Sequence, residues 1–224
     1  VKFSNININH RFSEYKHQIN ESLNGTQHFT GWNKDIIEPL LQHYGIKTHW
    51  IDIVDNIWVA LWFALHRTSS TIADGREYIH MSENDDDEYG YVLLIGCDAQ
   101  DNNPYQAGVY KSTSTIMVDL RKAVPSFFLR PHAQHALMLR KRSSKYEDFM
   151  DYTDRIIGIA KIRVKDGLKW IGQTGLLSVQ SLFPPPYYDT GYANLLNEYK
   201  KPSNNQINTV DYIKLFGSIQ DISH

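Results

Sequence analysis

The 224 residues are 42% apolar and 12% aromatic, enough for one substantial core, which excludes a disordered or fibrous protein. A formal charge of −2 supplies no single-sign field to draw nucleic acid or an anionic membrane. One cysteine, Cys97, rules out an internal disulfide framework; with no charged-then-apolar leader and no run of about 20 apolar residues, the chain reads as cytoplasmic, and its first residue, Val1, leaves room for an upstream segment.

Residues 1–30, rich in Asn, Ser and His, alternate weakly at Phe3, Ile6 and Ile8 and read as an N-terminal arm or partial first strand. Asn33 is the N-cap expected for a helix to about Tyr44: Asp35 suits its first turn, and Ile36, Ile37, Leu40, Leu41 and Tyr44 recur at helical spacing. Gly45 then falls where a left-handed residue ends a helix. A second helix, from Asp55 or Asn56 to His66, is apolar or aromatic on every face (Trp58, Val59, Ala60, Leu61, Trp62, Phe63) and should be buried all round. Thr68–Glu88 lacks apolar periodicity and reads as a surface insertion, with the acidic run Asp85–Glu88 as solvated loop. Tyr89–Cys97 is short, continuous and rich in β-formers, which predicts a core strand with Cys97 as a small buried hydrophobe.

Asp101–Thr115 reads as loop, and Ile116–Val124 fits strand or helix equally. A turn at Pro131 should lead into a strand around Ala136–Leu139, Ile156–Val164 alternates as a strand, and a helix around Gly191–Tyr199 follows the stiff Pro184–Pro186 run. With no repeat and no internal boundary, the reading is one α+β domain over residues 31–200, a mixed or antiparallel sheet around the Trp-rich helix, and a tail over 201–224.

The segment QHYGIKTHWID, followed by VALWFAL, resembles the FRG domain family, whose hallmark is roughly QHYG-x-x-T-x-x-x-D before an Ala-Leu-rich aromatic helix. Gln42, His43, Tyr44, Gly45, Thr48 and Asp52 match in order and spacing. Arg130, Pro131, Ala133 and Gln134 in the RPHAQ turn, and the SLFP of Ser181–Pro184, resemble two further family segments. The chain departs from the family at Lys47 and His49, where Pro and Arg are usual, at His135, where Gly is usual, and at Pro185, Pro186 and Tyr187, which replace acidic residues. The eponymous Phe-Arg-Gly is missing: Phe29-Thr30-Gly31 lacks the arginine and lies too close to QHYG. That leaves a shortened, diverged member or a first strand outside the given sequence. The resemblance implies a bacterial or phage-related protein, phage defence included, and a fold neighbourhood rather than a reaction.

Gln42, His43, Tyr44, Thr48, His49, Asp52, Asp55 and Asn56 crowd polar groups beside a dry helix, and each one left without a hydrogen bond costs about 1–3 kcal/mol. Such a cluster is a site or a structural network. As a site, His43 is the acid or base, Asp52 holds its tautomer, and Tyr44 or Trp50 stacks on a ligand ring. As a network, Asp52 accepts backbone N–H groups and Thr48 caps the loop. Arg130 and Gln134 offer a cationic fork and an amide for phosphate or carboxylate, or else Arg130 pairs with Asp52 or Asp55. Ser112-Thr113-Ser114 resembles the STS strand of arginine-type ADP-ribosyltransferases, but no Glu-x-Glu follows it, and an ordinary Ser/Thr loop is the simpler reading. His132 and His135 lack a third metal ligand, Arg140–Arg142 with Lys145 is a small basic patch, and no cofactor motif is present.

The reading is a domain that binds a phosphate-bearing small molecule, a nucleotide first, through Gln42, Tyr44, Thr48, Trp50, Arg130 and Gln134, with transferase or hydrolase chemistry at His43 and Asp52. The competing reading is a non-catalytic module docking a protein partner through Trp32, Tyr187, Tyr188 and Tyr192. A third, an ADP-ribosyltransferase relative, needs a glutamate facing Ser112–Ser114.

Overall fold

The computed structural model describes residues 17, 34–73, 76–85, 88–98, 101–102, 106–142, 150–172, 177–196 and 212–215. The N-terminal arm, Trp32, the Asn33 cap and Lys145 lie outside these. The strands are β1 (Ile51–Val54), β2 (His66–Ala73), β3 (Arg76–Glu83), β4 (Tyr89–Ile95), β5 (Asp101–Asn102), β6 (Val109–Lys111), β7 (Thr115–Asp119), β8 (Ala136–Lys141), β9 (Ile156–Arg163) and β10 (Tyr212–Lys214). The helices are α1 (Lys34–His43), α2 (Ile57–Leu65), α3 (Leu120–Ala123), α4 (Leu129–Ala133), α5 (Val164–Ile171), α6 (Val179–Leu182) and α7 (Thr190–Leu195). A five-stranded sheet runs β1-β8-β7-β6-β5, a three-stranded one β10-β3-β2, and β4 pairs with β9, every pairing antiparallel. The α+β class with an antiparallel sheet is the architecture observed.

Two apolar clusters hold these layers. In one, Ile36, Ile37, Leu40 and Leu41 of α1 pack with Val118, Met138, Tyr192 and Leu195; in the other, Val59, Leu61, Trp62 and Leu65 of α2 meet Val164, Ile171, Leu182 and Phe183. Leu40, Leu41 and Leu65 are wholly buried, each worth roughly 1.5–3 kcal/mol against exposure. Helix α1 ends as its sequence demands: Gly45 sits at φ +111°, and the Ile46 N–H reaches back to the Leu41 carbonyl. A Cβ at Gly45 would stand 2.1 Å from Lys214 Cγ and 3.2 Å from the Leu215 nitrogen, so close approach as well as backbone angle calls for glycine. Asn56 caps α2, its Oδ1 accepting from the Trp58 and Val59 nitrogens.

Several expectations are corrected. Helix α2 is not buried all round, because Ile57 and Trp58 in its first turn are exposed. Thr68–Glu88 is mostly a hairpin of two eight-residue strands, β2 and β3; Thr and Ile in HRTSSTIA supply β-propensity without the alternation that marks a half-buried strand. Strand β4 is only partly buried: Gly90 and Val92 face the core, but Tyr91, Leu93 and Leu94 are exposed, and Cys97 after it is exposed too. Pro131 lies inside α4 rather than at a turn, Val164–Ile171 and Val179–Leu182 are helical, and the segment read as a tail contributes β10. Among the described residues, no helix is long and apolar enough to cross a membrane.

Candidate functional site

The three motif-bearing segments, far apart in sequence, converge on one corner. Helix α1 delivers Gln42 and His43 at its C-terminus, β1 delivers Asp52, α4 delivers Arg130, the SLFP segment delivers Phe183, and β10 adds Tyr212 and Lys214. Gln42, His43, Asp52, Arg130, Gln134, Phe183, Tyr212 and Lys214 all line a single cleft of about 1590 Å³.

The loop beneath it is held by amides. Gln42 Nε2 donates to the Trp50 carbonyl (2.8 Å) and to Asp52 Oδ2 (3.1 Å), Thr48 Oγ1 donates to Gln42 Oε1, and the Trp50 N–H donates to Thr48 Oγ1 (3.1 Å). Gln42 and Thr48 thus shape the wall, while Trp50 is buried with its indole N–H on Glu38 (3.1 Å) and Arg140 over its ring. Asp52 accepts from His43 Nδ1 at 3.2 Å, which leaves Nε2 as the nitrogen available for chemistry when the ring is neutral. The His43 side chain is only 4% exposed, and its Nε2 has no hydrogen-bond partner among the described residues.

Arg130 is the unusual group. It is 1% exposed, and its guanidinium is enclosed by the rings of Tyr44, Tyr192 and Tyr212 at 4.5–4.7 Å and of Phe183 at 5.5 Å. Nη1 makes one long bond, 3.4 Å, to the His43 carbonyl, and Nε and Nη2 have no hydrogen-bond partner among the described residues. Those two nitrogens form the side-on fork of the guanidinium, the edge that grips a carboxylate or phosphate with two parallel bonds. The expected pairing of Arg130 with Asp52 or Asp55 is not made. Asp55 is taken by Arg121, whose Nη1 and Nη2 donate to its two oxygens at 2.9 and 2.7 Å while Nε donates to Asp119. Burial works to raise the Asp55 carboxyl, but the Arg121 bonds and charge hold it below the ordinary carboxylate range.

Tyr44, expected to stack on a ligand, lies outside the cleft lining: it is fully buried, stacks on Tyr192 (5.2 Å), and donates its hydroxyl to Asp189 Oδ2 at 2.6 Å. Burial first, then the Asp189 charge, pushes its phenol well above the usual value, so it stays a donor. Asp189, which sequence reasoning missed, also accepts from the Arg130 and Tyr192 nitrogens and caps α7. Sequence alone gives Tyr44 no sign of a partner 145 residues away. Gln134 is buried and donates to the Leu182 carbonyl (2.7 Å), tying the RPHAQ segment to SLFP. His135 takes φ +53°, a left-handed conformation at the position where the resemblance expects glycine. Its Nε2 accepts from Asn56 and its Nδ1 lies 3.4 Å from Asp55.

The remaining motifs are absorbed by structure. Ser112 and Ser114 hydroxyls donate to Asp98, which also pairs with Arg155 at 2.7 Å, so the STS hydroxyls hold β6, β7 and β9 together. Arg140 pairs with Glu38, Lys141 with Asp154, and Arg142 donates to the Ser112 carbonyl, which dissolves the basic patch. Tyr187 and Tyr188 are exposed and packed on each other (4.2 Å), whereas Tyr192, expected beside them, is buried. Among the described residues, no three His, Cys, Asp or Glu side chains gather as metal ligands.

The model of the FRG domain family matches residues 2–72, a span that takes in α1, the QHYG corner, β1, α2 and most of β2 and stops short of RPHAQ and SLFP. No curated protein and no solved structure matches the chain.

Proposed function

From the premise that the chain carries an FRG domain over residues 2–72, we propose that the cleft at its QHYG corner binds a phosphate-bearing small molecule, a nucleotide first. The observation that carries this reading is the side-on edge of Arg130, buried and without a hydrogen-bond partner among the described residues, on a residue that lines the cleft. A buried cation that makes no ion pair among the described residues is a standing cost, so a protein that keeps one supports a ligand that completes it. His43 Nε2, likewise unpartnered and lining the same cleft, is placed to donate to an anion when protonated or to take a proton when neutral. Asp52 orients that ring through Nδ1. Transferase or hydrolase chemistry would run through this pair, with Asp52 stabilising an imidazolium as it forms. Phe183 and Tyr212, stacked at 4.7 Å within the lining, offer apolar surface to the ligand body.

The test is a thermal-shift screen with inorganic phosphate, mononucleotides and dinucleotides on wild type, Arg130→Met and His43→Gln. At 100 times Kd a ligand adds about 2.7 kcal/mol, which for a chain of this length raises Tm by about 5–11 °C. Arg130→Met loses the shift; His43→Gln keeps binding and loses any turnover. No shift with any of these anions sinks the proposal and favours partner docking, for which the exposed Tyr187–Tyr188 pair after the proline run is the supporting feature.

A further inference from the structure

Besides His43 and His49, five charged side chains line the cleft: Lys47, Asp52 and Asp55 from the loop and strand after QHYG, Arg130 from α4 and Lys214 from β10. Three of them are engaged. Asp52 and Asp55, with side chains 53% and 45% exposed, meet His43 and Arg121, and Lys214 pairs with Glu77 at 3.3 Å. Arg130 and the exposed Lys47 make no ion pair among the described residues. The uncompensated charge of this region is therefore positive, and it calls for an anion.

The lining contributed by α2, β4 and β9 carries no charge. It consists of Ile57, Ala60, Phe63 and Ala64 of α2, the run Tyr91–Ile95 of β4, and Ile156 with Ile157 at the start of β9. Measured contacts join it to the cation. The Arg130 guanidinium lies 5.5 Å from the Phe183 ring, and that ring meets Phe63 edge-on at 6.0 Å. Phe63 is one helical turn from Ala60, and β4 lies directly on α2, where a Cβ at Gly90 would stand 2.5 Å from the Ala64 carbonyl oxygen. The apolar surface is long: Ile57 to Ala64 covers about 10 Å of helix, and Tyr91 to Ile95 about 13 Å of strand. It is also wet, since Ile57, Leu93 and Ile157 are 57%, 48% and 74% exposed. Covering such surface with hydrocarbon is favourable, whereas a polar or charged body laid on it would be desolvated without partners.

We infer that the ligand is an amphiphile, its phosphate on Arg130 and an apolar chain running past Phe183 along α2 and β4. The inference rests on the anion reading and narrows it. A cleft of about 1590 Å³ exceeds the roughly 300–1,000 Å³ that a drug-sized molecule occupies; a head group alone fills the polar region, and a head with a chain fills both.

The test is calorimetric titration of the full chain with inorganic phosphate and with butyl, octyl and dodecyl phosphate below their micelle-forming concentrations. Each buried methylene raises affinity about fourfold, so octyl phosphate binds about a hundredfold or more tighter than butyl phosphate, and its heat-capacity change is more negative. Arg130→Met weakens octyl phosphate about tenfold or more. Ile57→Gln and Leu93→Gln, both at exposed positions, weaken octyl phosphate about tenfold and leave the inorganic phosphate shift unchanged. Anion binding with no dependence on chain length overturns this inference and leaves the anion reading standing. No binding of phosphate or of any alkyl phosphate removes both. The inference also fails if octyl phosphate binds Arg130→Met as tightly as wild type, or if the protein sediments with phosphatidic acid vesicles while ignoring the soluble alkyl phosphates, which would make the apolar surface a membrane contact.

Discussion

Replacing Arg130 with methionine separates a cation awaiting an anion from one that serves the fold. The loss is three ring contacts at 4.5–4.7 Å, a weaker fourth to Phe183 at 5.5 Å and one long hydrogen bond, at about 0.5–2 kcal/mol per close ring and roughly 0.5–1.5 kcal/mol for the bond. The gain is relief of two unpartnered buried donors, at about 1–3 kcal/mol each. The two sums nearly cancel, so the ligand-free variant should unfold within about 1.5 kcal/mol of wild type, because methionine keeps the volume and the apolar stem. Urea unfolding followed by tryptophan fluorescence measures the difference from the midpoint at constant slope. In saturating phosphate ligand the two proteins should diverge, wild type alone gaining. A ligand-free loss of about 3–5 kcal/mol, the figure for breaking a buried ion pair, would refute the reasoning and make Arg130 a structural cation.

Gly45→Ala should cost about 2–4 kcal/mol, since it strains a φ of +111° and drives a Cβ into Lys214, and limited proteolysis should then cut the chain near β10. His135→Val should be less stable than His135→Gly by about 1–2 kcal/mol in thermal unfolding, because a β-branched residue resists the left-handed region that glycine enters freely. Asp98 is held at about 2, below its ordinary 3.8, by hydrogen bonds from Ser114, then Arg155. A depressed carboxyl stabilises above its unfolded value, so Asp98→Asn should lower Tm at pH 7, and its gap to wild type should close as pH falls from about 4 to 2.

The QHYG corner is legible because its residues are polar in an apolar setting, whereas RPHAQ and SLFP are marked by their resemblance to family segments, and the fold brings the three together. Partner choice was not legible. Two arginines nine residues apart, Arg121 and Arg130, were equally able to reach Asp55, and only the packing of α3 and α4 on β8 decides that Arg121 does. The β2–β3 hairpin escaped notice because it is stabilised by pairing more than by burial, so its sequence carries no periodic apolar stripe. The apolar run of β4 misled for the opposite reason: continuous hydrophobicity normally reports burial on both faces, and here it coincides with an exposed edge and face.

Strand β10 gives the site a place in time. Tyr212 closes the ring of aromatics around Arg130, Ile213 ties to the Tyr192 hydroxyl, and the Leu215 N–H secures the carbonyl of Tyr44. A nascent chain therefore holds every motif residue well before it can assemble them, and the corner matures only after residue 215 has left the ribosome. Until then the cleft lacks one of its walls.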